Sequence, residues 1–295
     1  MKSELRQALE DGRFPVALEL KPPRGADASA MLAPVGQLKG RVTAFGAPDN
    51  HHARLGLSPL AAGRLVQEAG GEVLLHLTCR DRNRLALQSD LLGAAALGLN
   101  NMLLVSGDYV TLGDHPDAKP VYDADSVQLL AMARGLMAGQ DSVGQTLSGP
   151  PEFYLGAVLI PEADPAAPQL LKFRKKVSAG AQFFITPPVF KPGALRDWRP
   201  RLEEAGVKLL ASVKVLGPEA LAQLKAGQWR KVYGVPDSVL QELAGKEGDD
   251  LLMAGAALAG RLLKQIKSDG LAHGAYLKVQ GRADLAAAVL DAAGL

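Results

Sequence analysis

Short apolar runs recur along this chain, stopped by polar or proline-containing corners and separated by longer segments of helical period. The first run, Val16 to Leu20, ends at Lys21-Pro22-Pro23-Arg24-Gly25, where consecutive prolines cannot continue a ladder. Arg41 to Phe45 is the second and opens into a polar loop through Asp49, Asn50, His51 and His52. Val73 to Thr78 is the third, and Met102 to Val105 the fourth, stopping at Ser106-Gly107-Asp108. Phe153 to Ile160, Gln182 to Thr186, Lys208 to Val215 and Gly274 to Val279 complete the set, the sixth being stopped by Pro187-Pro188.

Helical segments lie between these runs. Asp27 or Ser29 caps one that reaches about Leu38, and Ser58-Pro59 opens the next with a cap and an N1 proline. A third carries Leu85, Leu92 and Ala95 on one side. Others run from about Asp125 to Ala138, up to Ala179, and from Leu195 to Ala205. Gly217-Pro218 opens a short one, Asp249-Asp250 cap a longer one to about Ser268, and Arg282 to Ala293 closes the chain. This alternation predicts an α/β fold, the (β/α)8 (TIM) barrel, as one domain over residues 1–295. An N-terminal helix at about 1–12 and an extra helical segment at about 229–248 are added to it. A doubly wound sheet would call for a Gly-rich first turn, and no GxGxxG occurs.

Composition narrows the function. A formal charge of +2 on 295 residues, with 5% aromatics, gives no basic face or stacking platform for nucleic acid. The single cysteine, Cys79, excludes an internal disulfide and a thiolate-only zinc site. The first helix is interrupted by Glu4, Glu10 and Asp11, unlike a signal peptide, and Leu251 to Gly260 is too short to span a bilayer. A cytoplasmic protein with no membrane partner is the expectation.

Glu19 is the sharpest chemical signal, a carboxylate inside the apolar run VALEL and on the same face as Ala17. On an inward face near the top of a barrel, desolvation should raise its pKa and suit it to general acid work, unless it pairs with a strand-end base such as Lys21. His76 closes the third strand on the face of Thr78, as a ligand contact or a packed imidazole; no metal-ligand spacing surrounds it. Gly107 permits close backbone approach, and Asp108 either accepts from a ring system or caps a turn. Arg80, Asp81, Arg82 and Arg84 form either a salt-bridge network or a phosphate contact. Lys172, Arg174, Lys175 and Lys176 are too dense for one solvated helix face, so at least one should reach the barrel rim. Cys79 has no base beside it and reads as structural. Tyr122 and Asp125 are either a contact pair or a packed tyrosine and a helix cap.

LELKPPRG at 18–25, HLTCRDRN at 76–83, VSGD at 105–108, GDHPDAKPVYDADSVQL at 113–129 and KKVSAGAQFFIT at 175–186 together resemble the methylenetetrahydrofolate reductase family. They are most similar to its branch in bacteria and archaea with one-carbon metabolism of the acetyl-CoA-pathway kind. The resemblance covers nearly the whole chain and implies a flavin-dependent barrel that reduces 5,10-methylenetetrahydrofolate to 5-methyltetrahydrofolate, with FAD as cofactor. Glu19 then matches the acid that helps open the five-membered ring to a 5-iminium cation, which takes hydride from N5 of reduced FAD. Asp108 matches a residue near the pyrimidine side of the flavin and the folate pterin, and His76 and Gly107 match flavin contacts. Ser106, in the same cofactor-binding stretch, stands where some members have arginine. Tyr122, Asp125 and Lys176 match residues holding the ribityl, adenosine and pyrophosphate portions.

The folate half departs from the pattern. Thr186-Pro187 stands where many members have Thr-Gln, and the missing glutamine is the side chain that bonds the pterin. Ala211-Ser212 stands where the family usually has Pro-Gly in strand seven, and the family's aromatic that stacks on pterin or nicotinamide is not evident after Gly217. NAD(P)H or a redox partner protein is the implied electron donor, and homo-oligomers are common in the family. Two other readings remain: a pterin-dependent methyltransferase-type barrel, or a non-catalytic partner subunit of a one-carbon enzyme complex. The last requires an exposed apolar patch around Phe183 to Phe190.

Overall fold

In the computed structural model, which describes residues 2–227 and 234–295, the eight expected strands close into one parallel barrel in sequence order. Helix α1 (Glu4–Glu10) precedes β1 (Val16–Glu19). Then follow α2 (Ser29–Gln37), β2 (Ala44–Ala47), α3 (Pro59–Glu68), β3 (Val73–Thr78), α4 (Arg84–Ala96) and β4 (Asn101–Val105). Next come α5 (Ser126–Met137), β5 (Tyr154–Val158), α6 (Ala166–Ala179), β6 (Phe183–Pro188), α7 (Arg199–Glu204) and β7 (Lys208–Lys214). Helices α8 (Pro218–Lys225), α9 (Asp237–Glu242) and α10 (Gly248–Ser268) lead to β8 (Gly274–Lys278) and α11 (Ala283–Ala293). Helix α9 falls in the extra segment expected at about 229–248; positions 229–233 of that segment lie outside the described residues.

Period-2 alternation sorts the strand side chains into two cores. Val16, Leu18, Phe45, Leu75, Leu77, Leu104, Leu155, Phe184, Leu209 and Leu277 point outward and pack beneath the helices. Ala17, Ala44, Leu74, Leu103, Tyr154, Phe183, Leu210 and Tyr276 point inward. Leu5 and Leu9 of α1 join this inner cluster and close the lower end of the barrel. The Glu72 carboxylate accepts from the Glu4 and Leu5 amides at 2.5 and 2.8 Å, an anion placed on the helix N-terminus.

Several boundaries move for physical reasons. The second strand starts at Ala44 rather than Arg41, because the Arg41 and Val42 amides both donate to the Leu38 carbonyl and close a turn. In α4 the inward stripe is Leu87, Leu91 and Ala94; Leu85 and Leu92 face solvent. Asp249 and Asp250 sit in the first turn of α10 rather than at its cap, where their charge still favours the helix dipole.

The sixth strand runs through Pro187-Pro188 instead of stopping before them. Prolines bring no N–H to a ladder, and the register shifts between Ile185 and Pro188. Two side chains supply the missing bonds: Ser212 N–H donates to Thr186 Oγ1 at 2.9 Å, and Ser212 Oγ donates to the Thr186 carbonyl at 2.6 Å. Phe183, Phe184, Val189 and Phe190 are all buried, so they form no exposed apolar patch.

Candidate functional site

Inward positions in the C-terminal halves of β1, β3, β7 and β8 include Glu19, His76, Lys214, Tyr276 and Lys278. They meet in the mouth of the barrel, where this fold places its sites. Lys278 Nζ lies 2.5 Å from Glu19 Oε2, and the Tyr276 hydroxyl donates to the same oxygen at 3.2 Å. His76 Nε2 is 3.0 Å from that hydroxyl. The hydroxyl has one hydrogen and gives it to the carboxylate, so His76 Nε2 must carry the hydrogen of their shared bond. His51, from the loop after β2, brings Nδ1 to 3.4 Å from Glu19 Oε1.

Gly46 makes this arrangement fit. It is the register partner of Glu19 on β2, and a β-carbon there would collide with the Tyr276 hydroxyl. The tyrosine can therefore cross the barrel from β8 to reach both Glu19 and His76.

The electrostatics correct one expectation. Burial alone pushes the Glu19 carboxyl up, as the sequence reading supposed. The Lys278 charge and hydrogen bond, with His51 and His76 adding to them, outweigh burial and hold it down at about 2. Glu19 therefore rests ionised. Lys278, rather than Lys21, is its partner. Burial lowers His76 to about 4 and His51 to about 3, so both imidazoles are neutral at pH 7.

Asp108 stands apart from this cluster, its side chain 46% exposed, with Oδ2 at 3.3 Å from His52 Nδ1. The hydrogen bond from His52 is the main influence holding its carboxyl below the usual range. Adjacent histidines thus face the two candidate carboxylates, His51 toward Glu19 and His52 toward Asp108. Tyr122 donates its hydroxyl to the Asp108 carbonyl at 2.9 Å, which fixes the turn after β4. Ser106 Oγ accepts from the Ser126 amide at 3.3 Å and ties that turn to α5. Gly107 has φ +91°, and a side chain there would press on Thr78 and Arg80.

Asp125 is the N-cap of α5 in a capping box with Gln128. Lys176 is buried on α6 and donates to the Val158 carbonyl at 2.7 Å. Burial and then the Lys172 charge lower it to about 8, while Asp125 opposes the change. The fold thus brings together Ser106, Gly107, Asp108 and Tyr122, and separately Glu19 and His76; it leaves Asp125 and Lys176 at the ends of α5 and β5.

The arginine cluster is a salt-bridge network. Arg82 spans Asp49 and Asp90, each at 2.6 Å, and Arg84 meets Asp123 at 3.0 Å. Arg80, almost wholly buried, bonds Asp81 and the carbonyls of Asn50 and Asp108, so it braces the loops after β2 and β4. Cys79 is buried and its thiol is pushed up to about 12, which makes it inert. Among the described residues no group of three or more His, Cys, Asp or Glu side chains is arranged to hold a metal, and no helix is long and apolar enough to cross a membrane.

Sequence reasoning passed over Tyr276, Lys278 and Lys214. The signal that exposed Glu19 was present for them too: a charged or hydroxyl-bearing residue at period two within an apolar strand.

Comparison with known proteins gives the family. A 5,10-methylenetetrahydrofolate reductase of Pectobacterium carotovorum subsp. carotovorum is 24% identical over 304 residues, covering 100% of this chain and 95% of its own. A probable methylenetetrahydrofolate reductase (NADPH) of Caenorhabditis elegans is 23% identical over 79% of this chain, which spans about a third of that protein, 34%. Among solved structures, an uncharacterized protein from Clostridium thermocellum that binds two copies of 5-methyl-5,6,7,8-tetrahydrofolic acid superposes with a TM-score of 0.64. The match covers 99% of this chain and 98% of that one at 14% identity, a likeness of fold. The sequence pattern of methylenetetrahydrofolate reductase matches residues 4–294, so the chain belongs to the methylenetetrahydrofolate reductase family.

Proposed function

We propose that this protein reduces 5,10-methylenetetrahydrofolate to 5-methyltetrahydrofolate, with FAD as cofactor and Glu19 as the proton-transfer group. Family membership supports an enzyme of folate-linked one-carbon chemistry. The observation that carries the finer reading is the ionised Glu19 carboxylate in the barrel mouth, charge-paired and almost shielded from water. The folate bound by the Clostridium thermocellum neighbour supports the substrate class.

The donor set fits a flavin dinucleotide. Lys176 spends one of its three N–H donors on Val158 and keeps two for a phosphate oxygen. Asp125 caps its helix through Oδ1 alone, leaving Oδ2 as an acceptor for a ribose hydroxyl. The half-exposed Asp108 carboxylate can accept from a ring N–H. His76, Ser106 and Tyr122 are the remaining residues assigned to flavin contact in this reading. When bound, the reduced flavin supplies hydride.

The chain's own residues hold the proton and the charge. An ionised Glu19 stabilises positive charge developing on the folate nitrogens, and its electrostatic effect is large because the site excludes water. After taking up a proton, it becomes the acid that passes that proton to the amine nitrogen whose bond to the methylene carbon breaks. Tyr276 and Lys278 fix the carboxylate's orientation. In this reading NAD(P)H or a redox partner protein would be the electron donor.

Anaerobic stopped-flow tests the reading. Protein reconstituted with FAD and chemically reduced should be reoxidised rapidly by 5,10-methylenetetrahydrofolate, with 5-methyltetrahydrofolate formed. Bound flavin that this folate leaves reduced would remove the substrate, and failure to bind FAD would remove the oxidoreductase.

A further inference from the structure

Reducing the folate methylene group takes one hydride and one proton, so a proton must reach Glu19 in every turnover. Among the described residues, Lys278, Tyr276 and His51 approach its carboxylate. Tyr276 is fully buried and leads only to His76, which is also buried. Transfer from Lys278 would leave a neutral amine that must itself be reprotonated, and its side chain is only 19% exposed. His51 differs: its side chain is 33% exposed, with Nδ1 turned to Glu19.

The backbone carries a cost to place it there. Asn50, His52 and Ala53 have φ of 42°, 56° and 56°, left-handed values that non-glycine residues adopt at a cost of about 1 kcal/mol or more each. Surrounding contacts hold the strained turn. His52 faces Asp108, Arg80 donates to the Asn50 carbonyl, and Asn50 Oδ1 accepts from the Gly56 amide. Gly113, from the loop after β4, packs so close that any side chain would strike the Ala53 carbonyl.

We propose that His51 is the positioning residue through which protons pass from solvent to Glu19, a role that rests on the reductase reading. The relay uses the neutral tautomer with its hydrogen on Nδ1, the nitrogen 3.4 Å from Glu19 Oε1. A hydronium ion or buffer acid protonates the outer nitrogen, Nδ1 releases its proton to Glu19, and a neutral imidazole and a neutral carboxylic acid result. Glu19 then gives the proton to the departing folate amine and returns to carboxylate; exchange with solvent restores the first tautomer. Hydride from the reduced flavin completes the two-electron reduction.

The groups facing His51 are Glu19 from β1, Lys278 from β8, His76 from β3 and its neighbour His52. After burial, which is the largest influence, Glu19 favours protonation of the ring and the other three oppose it.

The test is chemical rescue. In weak buffer, His51→Ala should slow folate-dependent flavin reoxidation by about 10-fold or more, and added imidazole should restore it with a rate that rises with imidazole concentration. Wild-type speed without buffer dependence, or a loss that imidazole leaves unrepaired, would overturn the relay. A second measurement needs neither flavin nor folate. In a Lys278→Met background, or Lys278→Gln should that variant fail to fold, Glu19 protonation after a pH jump is followed by its carboxyl infrared band. Adding His51→Ala should slow that band's appearance about 10-fold, and an unchanged rate overturns the proposal. If wild-type protein is not reoxidised by the folate, the reductase reading fails while the pH-jump result still decides His51.

Discussion

Lys278, the last residue of β8, holds its ammonium 2.5 Å from the carboxylate of Glu19, the last residue of β1, across the closure of the barrel. Both side chains are largely withdrawn from water, at 19% and 12% exposure. This pair sets the ionisation of the site, because burial and the lysine pull the Glu19 pKa in opposite directions and the lysine wins.

Replacing Lys278 with Met should therefore reverse the outcome. With burial the largest remaining influence, Glu19 should titrate above the ordinary carboxylate value instead of near 2. Carbon-13 NMR of labelled glutamate, assigned with Glu19→Gln, reads this directly. Stability at pH 7 should fall by about 3 kcal/mol, the cost of breaking a buried pair from one side. A Glu19 titration that stays near 2 would mean that His51 and His76 suffice.

Glu19→Gln should leave FAD binding intact and slow folate reduction by roughly 10²–10⁴-fold. Its stability signature depends on pH. A carboxylate with a depressed folded pKa contributes above its unfolded value, about 4.5, and loses that contribution as pH falls toward 2. The advantage of wild type over the variant in urea denaturation should thus be full at pH 7 and shrink between pH 4.5 and 2. A constant difference across that window would contradict the ion pair.

His76 contributes with the opposite proton balance. Buried neutral with a pKa near 4, it resists a proton that the unfolded chain accepts below about 6.5. Wild-type stability should therefore drop as pH falls from 6.5 to 4. His76→Gln keeps a donor for Tyr276 but has no titrating ring, so its stability profile should be flatter in that window. Equal slopes would place the acid sensitivity elsewhere.

Gly46→Ala should destabilise the protein by about 1–3 kcal/mol, because its β-carbon meets the Tyr276 hydroxyl. Thermal unfolding in a double-mutant cycle isolates the cause. The same alanine should cost less in a Tyr276→Phe background, where the hydroxyl is gone. Additive costs would mean that the close approach is relieved in some other way.

The chain's own pattern determined the architecture. Eight apolar runs with polar ends, separated by helical periods, leave few topologies besides a closed parallel barrel, because each strand must be covered on both faces. The same local logic exposed Glu19, since a carboxylate inside VALEL has no cheap reason to be there. Residues that serve their own turn or helix end were also legible, such as Ser58 at its N-cap and Asp125, with the cap among its readings.

What the tertiary structure alone decided is who stands beside whom. Glu19 and Lys278 are 259 residues apart in sequence, and Glu19 and Tyr276 are 257 apart. Only closure of the barrel, which pairs β1 with β8, makes them neighbours. Ionisation follows from that neighbourhood: a buried carboxylate read alone is a raised acid, and the same carboxylate beside an ammonium is a resting anion. The strand through Pro187-Pro188 is a second case, since the bonds that sustain it come from Thr186 and Ser212 on adjacent strands. Periodicity is a property of the local backbone and can be read along the chain; charge pairing acts through space and depends on the folded register.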